Sequence, residues 1–230
     1  MAGGSGMRFG SKSPKQFQEL QGKPVLLHTL EAFYRYSDKI EVVLVLPENE
    51  LAIWETICRE HNFQKPLNVQ AGGSSRFQSV KKGLERIGED GYVAIHDGVR
   101  PLVSTELIIA SFKLAKVRQT AVAAVNLKDS IRMVQTSLDV TNKSFSSESR
   151  RLDRSHYRLI QTPQTFQVAL IKKAYTLSED PTFTDDASVA EAAGHTIHLF
   201  QGSYDNIKIT TAEDLIIAET LLGYGRNSMK

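Results

Sequence analysis

The sequence has a single cysteine in 230 residues, Cys58. That excludes an internal disulfide and any multi-cysteine zinc or iron–sulfur centre. It has no apolar run near the roughly 18–20 residues that a membrane span requires. It also lacks charge of one dominant sign: 28 Lys and Arg against 26 Asp and Glu leave a formal net charge of +2. A balance this close to neutral argues against a broad nucleic-acid footprint or an anionic-membrane surface, and leaves room for a local basic site. The opening MAGGSGMRFGSKSPKQF carries glycines and cations without an apolar core, so it does not read as a secretory signal. No G-x-S-x-G is present, which leaves a serine hydrolase unsupported. The expectation is a cytoplasmic protein with neither nucleic-acid nor membrane partners. What is present is ordinary globular composition, 41% hydrophobic and 23% charged. A chain of this length buries about 70% of its unfolded surface and needs no covalent staple.

Short apolar runs alternate with segments of helical period. Residues 41–46 (EVVLVL) form a β-branched run suited to a strand buried on both faces. Leu51, Trp54, Cys58 and His61 then fall on one helical face. Residues 67–71, 92–96 and 121–125 read as further strands. Residues 74–88 and 105–117 read as helices, the second begun by Ser104 as N-cap. Near the end, 196–200 and 206–210 look like strands and 212–222 like an amphipathic helix. This alternation predicts an α/β fold: a mostly parallel, Rossmann-like sheet with helices on both faces. Residues 131–158 break the rhythm, with SFSSES in their middle and Arg150, Arg151, Arg154 and Arg158 at their far end. They read either as a solvated hairpin or as an arm whose basic end meets an anionic ligand.

Chemistry concentrates in a few places. AGGSGMRFGSKSPK packs glycines and serines with Arg8, Lys12 and Lys15, a composition able to cradle phosphates through backbone N–H groups and cations. It matches neither G-x-G-x-x-G, since position 9 is Phe, nor a P-loop, since Ser11 follows Gly10. A flexible end is the plainer alternative. In AIHDGVRP, Asp97 follows a strand at the sheet edge where α/β folds place ligands, and suits a Mg²⁺ bound to phosphates. Arg100 lies three residues on, within reach of an anion. AGGSSRFQS is a glycine turn entering a helix, QTPQTF contains a TP turn, FTDDAS offers Thr184 as an N-cap, and YDNIKIT brackets an apolar step with Asp205 and Lys208. Each has a purely structural alternative. His195 and His198 point apart on a strand, and Cys58 belongs to an apolar helix face.

Taken in order, AGGSGMRFGSKSPKQF, AGGSSRFQSV, HDGVRP, LDRSHYRLIQTPQTF, FTDDASVAE and DNIKIT resemble the 2-C-methyl-D-erythritol 4-phosphate cytidylyltransferases from Ala2 to about Leu222. The resemblance implies a nucleotidyltransferase fold of GT-A type with a projecting β-arm at 131–158. It implies a reaction in which CTP and a polyol phosphate give the CDP-alcohol and pyrophosphate with Mg²⁺ or another divalent cation. By position, Arg8 and Lys15 match transition-state cations, while Ala2, Gly3, Gly4, Gly73 and Ser79 match the CTP site. Asp97 matches the residue beside the metal. Arg154 and Lys208 match residues that position the polyol phosphate, and Arg100, Ser130, Thr162, Thr184 and Asp205 fall among the substrate-lining positions. The family's arm crosses a homodimer, so Arg154 would serve the partner's site. Ser74 and Ser130 stand where some members have an acid and a threonine.

Two alternatives remain at this level: a ribitol-5-phosphate cytidylyltransferase, and a catalytically inactive nucleotide-binding module. A glycine loop of this type is expected to hang from an apolar strand. Met1-Ala2 already lie inside the loop, so such a strand is expected upstream of Met1, within a single unit covering 1–230.

Overall fold

The computed structural model describes residues 1–2, 14–134 and 148–227, the last four as backbone only. A small antiparallel ribbon of β1 (Glu19–Leu20) and β2 (Lys23–Pro24) feeds α1 (Val25–Tyr36). Then follow β3 (Val43–Leu46), α2 (Leu51–Glu60), β4 (Asn68–Ala71), α3 (Arg76–Leu84), β5 (Tyr92–Ile95), α4 (Thr105–Arg118) and β6 (Thr120–Asn126). β7 (Arg132–Val134) pairs antiparallel with the exposed β8 (Ser149–Arg151) at the base of the expected arm. The chain returns through β9 (Arg158–Gln167), α5 (Val168–Ala174), α6 (Asp186–Ala192), β10 (Leu199–Gln201) and α7 (Ala212–Asn227).

The sheet is mixed. β3 and β4 pair in parallel, and a four-stranded sheet runs β10-β6-β9-β5. β10 and β6 are parallel, but β9 runs antiparallel to both β6 and β5. The direction of β9 follows from the connection before it. Parallel neighbours need a crossover, usually helical, whereas the described part of the connection between β6 and β9 is the antiparallel pair β7–β8. Helices cover both faces, as alternation predicts. Ile95 packs with Phe77, Val80 and Ile171 on one side, while Ala94 meets Phe33 and Ile108 on the other.

Several local expectations need correcting. QTPQTF is not a turn but the middle of β9, where Gln161 through Phe166 are buried. Residues 206–210 form no ladder; they are held by Ile209 N–H donating to the Val99 carbonyl at 2.9 Å and by Arg100 donating to the Asn206 carbonyl at 2.8 Å. Asp185, not Thr184, caps α6, accepting from Ser188 N–H while the Ser188 hydroxyl completes a capping box. In α2 the buried face centres on Trp54 and Ile57, with Cys58 only half-buried.

Met1 and Ala2 occupy the seam between the two sheets. Ala2 N–H donates to the Val45 carbonyl at 3.0 Å, and the Met1 carbonyl accepts from Gly98 N–H at 2.7 Å. The Met1 amine donates to the His96 carbonyl at 2.7 Å. Gly98 keeps this seam close: a Cβ there would lie 3.0 Å from both the Ala2 Cβ and a Leu26 methyl, so those groups would have to give by a few tenths of an ångström. Beside this seam, a cavity of about 560 Å³ separates β3 from β5, lined by residues such as Leu30, Phe33, Val45, Leu84 and Val93. β6 and β9, by contrast, pair along most of their length and are flanked on their other edges by β10 and β5. Elements with fewer packed neighbours open at lower free energy. Native-state hydrogen exchange is therefore expected to show the amides of β3 and β4 exchanging well before those of β6 and β9; equal protection would contradict this reading of the seam.

Candidate active site

At the C-terminal ends of β3 and β5 lies a recess of about 120 Å³. Ala2, Lys15, Ser79, Asp97 and Lys208 all line it, so five of the anticipated residues meet there from five separate segments. Its volume is below the roughly 300 Å³ typical of a whole small-molecule site and suits the charged end of a ligand. The larger cavity beside the seam is lined mainly by apolar side chains and lies between the sheets.

Asp97 organises the electrostatics. Burial alone would raise its pKa, but Lys208, then Arg100 and Arg76, outweigh that and hold the carboxyl well below the usual carboxylate range. Lys208 Nζ sits 3.1 Å and Arg100 Nε 3.2 Å from the same oxygen, Oδ2. The two cations differ in freedom: the Lys208 side chain is 41% exposed and that of Arg100 is 10%. Arg100 lies behind the carboxylate with a second donor on the Asn206 carbonyl. Sequence pattern suggested Arg100 could hold an anion directly; the fold places its guanidinium on Asp97.

Thr162 and His96 support the carboxylate from below. Asp97 N–H donates to Thr162 Oγ1 at 3.1 Å, and that hydroxyl lies 3.0 Å from His96 Nδ1. His96 Nε2 lies 3.3 Å from the Arg100 carbonyl, which can only accept. The network therefore assigns the proton to Nε2 and leaves Nδ1 to accept from Thr162. Burial pushes the His96 pKa down to about 3, so the ring stays neutral near pH 7.

Gly73 and Ser79 come together as anticipated. Gly73 N–H donates to Ser79 Oγ at 3.0 Å, and a Cβ on Gly73 would fall 2.4 Å from the Gln78 Cβ, which only glycine avoids. Ser130, Thr184 and Asp205 are exposed and do not line the recess. Arg154 is also exposed, in a 3₁₀ turn at the base of the arm, donating to the Lys128 carbonyl. Arg8, Gly3 and Gly4 lie outside the described residues. Four lining residues were missed from sequence, the apolar Met1 and Val99 and the polar Gln16 and Arg76. Gln16 is fully buried and donates to the Ala2 carbonyl at 3.0 Å and to Glu50. Arg76 had a readable signal: a cation at the first position of a helix opposes the helix dipole and calls for an acid nearby. Among the described residues no cluster of three or more His, Cys, Asp or Glu is placed to hold a metal, so any cation here would depend on Asp97 and on the ligand itself.

The buried His96 makes stability pH-dependent. Its folded pKa of about 3 lies below the ordinary 6.5, so the unfolded chain binds more protons between these values. Stability is full above about pH 6.5 and is lost progressively as pH falls toward 3. Asp97 acts in the same direction only below 3.8. Unfolding free energy is expected to fall by about 1 kcal/mol per pH unit between pH 6 and 4.5. His96→Gln should flatten that slope relative to the wild type, as read by chemical denaturation at each pH. Parallel slopes would rule out the assignment.

Comparison with known proteins agrees over nearly the full length. Residues 1–224 match the family model IspD, 2-C-methyl-D-erythritol 4-phosphate cytidylyltransferase. The chain is similar to the 2-C-methyl-D-erythritol 4-phosphate cytidylyltransferase of Bacteroides fragilis, with 44% identity over 222 residues, covering 96% of this chain and 97% of the relative. The protein of the same name from Porphyromonas gingivalis is 42% identical over 223 residues, covering 96% and 95%. Among solved structures, the 4-diphosphocytidyl-2C-methyl-D-erythritol synthase of Anaerococcus prevotii superposes with a TM-score of 0.77 at 28% identity, covering 96% and 95%. The 2-C-methyl-D-erythritol 4-phosphate cytidylyltransferase of Francisella tularensis gives 0.73 at 29%, covering 94% of each chain. With the recess and its charged residues in place on this fold, the chain belongs to the 2-C-methyl-D-erythritol 4-phosphate cytidylyltransferase (IspD) family.

Proposed function

We propose that the protein transfers CMP from CTP to 2-C-methyl-D-erythritol 4-phosphate, giving 4-diphosphocytidyl-2-C-methyl-D-erythritol and pyrophosphate for isoprenoid precursor synthesis. The observation that carries this reading is the meeting of Lys15, Ser79, Asp97 and Lys208 in one recess. The substrate's phosphate oxygen attacks the α-phosphorus of CTP; one P–O bond forms as the bond to the β-phosphate oxygen breaks, and pyrophosphate leaves with the electron pair. The nucleophile is an anion on the substrate, so the protein supplies no nucleophile of its own. Its task is to hold two anions in line and neutralise their repulsion.

On this reading Lys15, together with Arg8, stabilises charge on the attacked phosphate and on the leaving pyrophosphate. Ala2, Gly3, Gly4, Gly73 and Ser79 receive the cytidine end. Lys208 holds the phosphate of the incoming alcohol; Ser130, Thr162, Thr184 and Asp205 are assigned to that substrate by motif position alone, since none of them lines the recess. Arg154 reaches the same phosphate from a second copy of the chain, which makes the arm a dimer contact; its exposed position suits that use. Asp97 fits a Mg²⁺ held mainly by nucleotide phosphates, because it stays ionised and both its ion pairs land on Oδ2, leaving Oδ1 outside them. Bound there, the ion would add charge neutralisation at the triphosphate. No helix among the described residues is long and apolar enough to cross a membrane, which is compatible with work in the cytoplasm.

Incubation with CTP, Mg²⁺ and either methylerythritol phosphate or ribitol 5-phosphate tests the reading: pyrophosphate release and CDP-alcohol formation should favour methylerythritol phosphate. Preference for ribitol phosphate, or no release with either, would overturn it. Lys15→Ala is expected to lower turnover by about 10²–10³ with the fold retained by circular dichroism, since one transition-state donor is typically worth that much. Arg154→Ala should raise KM for the sugar phosphate and spare that for CTP; equal loss for both would count against the cross-dimer role.

A further inference from the structure

Arg76 opens α3, one residue after its N-cap Ser75, whose side chain accepts from Gln78 N–H. Its guanidinium is locked in place. Nη1 lies 2.9 Å from Asp186 Oδ1, and Nη2 lies 2.5 Å from Oδ2, an end-on fork between residues 110 apart in sequence. Asp186 is fully buried and also accepts from the Tyr175 hydroxyl at 2.6 Å. Tyr175 is fixed in turn by stacking on Phe77 with ring centroids 4.7 Å apart. Two helix N-termini, those of α3 and α6, thus meet through one ion pair.

A tie between two helices would satisfy that geometry and nothing more. Arg76 is not confined to it. Its side chain stays 34% exposed and lines the recess with Lys15, Ser79, Asp97 and Lys208. A guanidinium has five N–H donors and the fork to Asp186 uses two, so donors remain. Ser79 is three residues on, the same helical face, and Arg76 is nearer the helix N-terminus, where backbone amides and dipole favour anions. The pair with Asp186 is electrically neutral, so Arg76 brings direction more than net charge. A lysine could not supply both the fork and a fixed outward donor.

Building on the function proposed above, we infer that Arg76 is a further binding residue, aimed by Asp186 and Tyr175 at the phosphate end of the nucleotide and not at the incoming polyol phosphate. It discriminates the two anionic ligands by position: α3 carries the nucleotide side of the recess, and Lys208 carries the other.

Calorimetric binding of CTP and of inorganic pyrophosphate to wild type, Arg76→Lys and Tyr175→Phe tests this, alongside KM for both substrates and thermal midpoints. Arg76→Lys should weaken CTP and pyrophosphate at least tenfold, about 1.4 kcal/mol, while KM for the polyol phosphate stays within twofold. Tyr175→Phe keeps ring volume and stacking, and should weaken CTP severalfold by loosening the fork. Lowered thermal midpoints with wild-type CTP and pyrophosphate binding in both variants would reduce Arg76 to a structural tie and overturn the inference. Equal weakening of CTP and polyol phosphate would also overturn it. Because binding is read without turnover, a wild type that binds CTP yet fails to make product refutes the proposed reaction and leaves the Arg76 result standing on its own.

Discussion

A desolvated carboxylate needs cations, and Asp97 has gathered them. Burial by itself would push this group toward its neutral form; Lys208, Arg100 and Arg76 reverse the balance. The dependence is mutual, because Arg100 is also buried and its pKa is lowered by that burial against the pull of Asp97. Removing Asp97 would strand the buried Arg100 charge, at about 3–5 kcal/mol for a buried pair, whereas removing Arg100 would leave Asp97 with Lys208. Much of the local backbone is arranged to keep this set together. Arg100 reaches the Asn206 carbonyl, Asn206 donates to the Thr162 carbonyl at 2.8 Å, and Thr162 returns to Asp97. Gln161 donates to the Ser203 carbonyl at 2.8 Å. The 203–210 segment that carries Lys208 is thus tied in by side chains as well as by the backbone bond from Ile209 to Val99.

β9 is where sequence pattern and structure part most clearly. Alternation rules assume that buried strand positions are apolar, and β9 buries Gln161, Thr162, Gln164 and Thr165. Gln161, Thr162 and Gln164 act as fasteners, while the buried Thr165 hydroxyl has no hydrogen-bond partner among the described residues. Gln164 donates to Asp185 and accepts from Ala187 N–H, both at 2.8 Å, pinning the start of α6 to the sheet. A polar run with a proline reads as a turn because the usual fate of such residues is solvent. Their partners lie 21 to 66 residues away in the chain, and no local window contains them. Strands whose burial follows the apolar pattern, such as Val43–Leu46 and Thr120–Asn126, were legible within two residues of their ends.

The same distinction applies to the site. Residue types and motif order pointed to Ala2, Lys15, Gly73, Ser79, Asp97 and Lys208, and the fold brings them together. What could not be read was which charges are already spent. Arg100 looked like an anion grip and is committed to Asp97 and Asn206; Arg76 drew no notice although it faces the recess. Deciding between such residues requires knowing the third partner, Asp186 for Arg76 and Asn206 for Arg100. Each is more than 100 residues away. A net charge of +2 carries no trace of this local pairing.

The unequal exposure of the two cations on Asp97 gives the recess a direction of response. Both contact Oδ2, so an anionic ligand entering the site competes for them with one carboxylate oxygen. Arg100 is buried, has a second acceptor in the Asn206 carbonyl, and loses both bonds if it moves. Lys208 is more exposed, and an ammonium on a flexible stem turns without breaking a fork. A phosphate therefore draws Lys208 and leaves Arg100 in place. Asp97 then keeps Arg100, enough to hold it ionised against burial. With Lys208 resting on Asp97, charge is balanced before binding, and binding exchanges partners instead of creating a new buried charge.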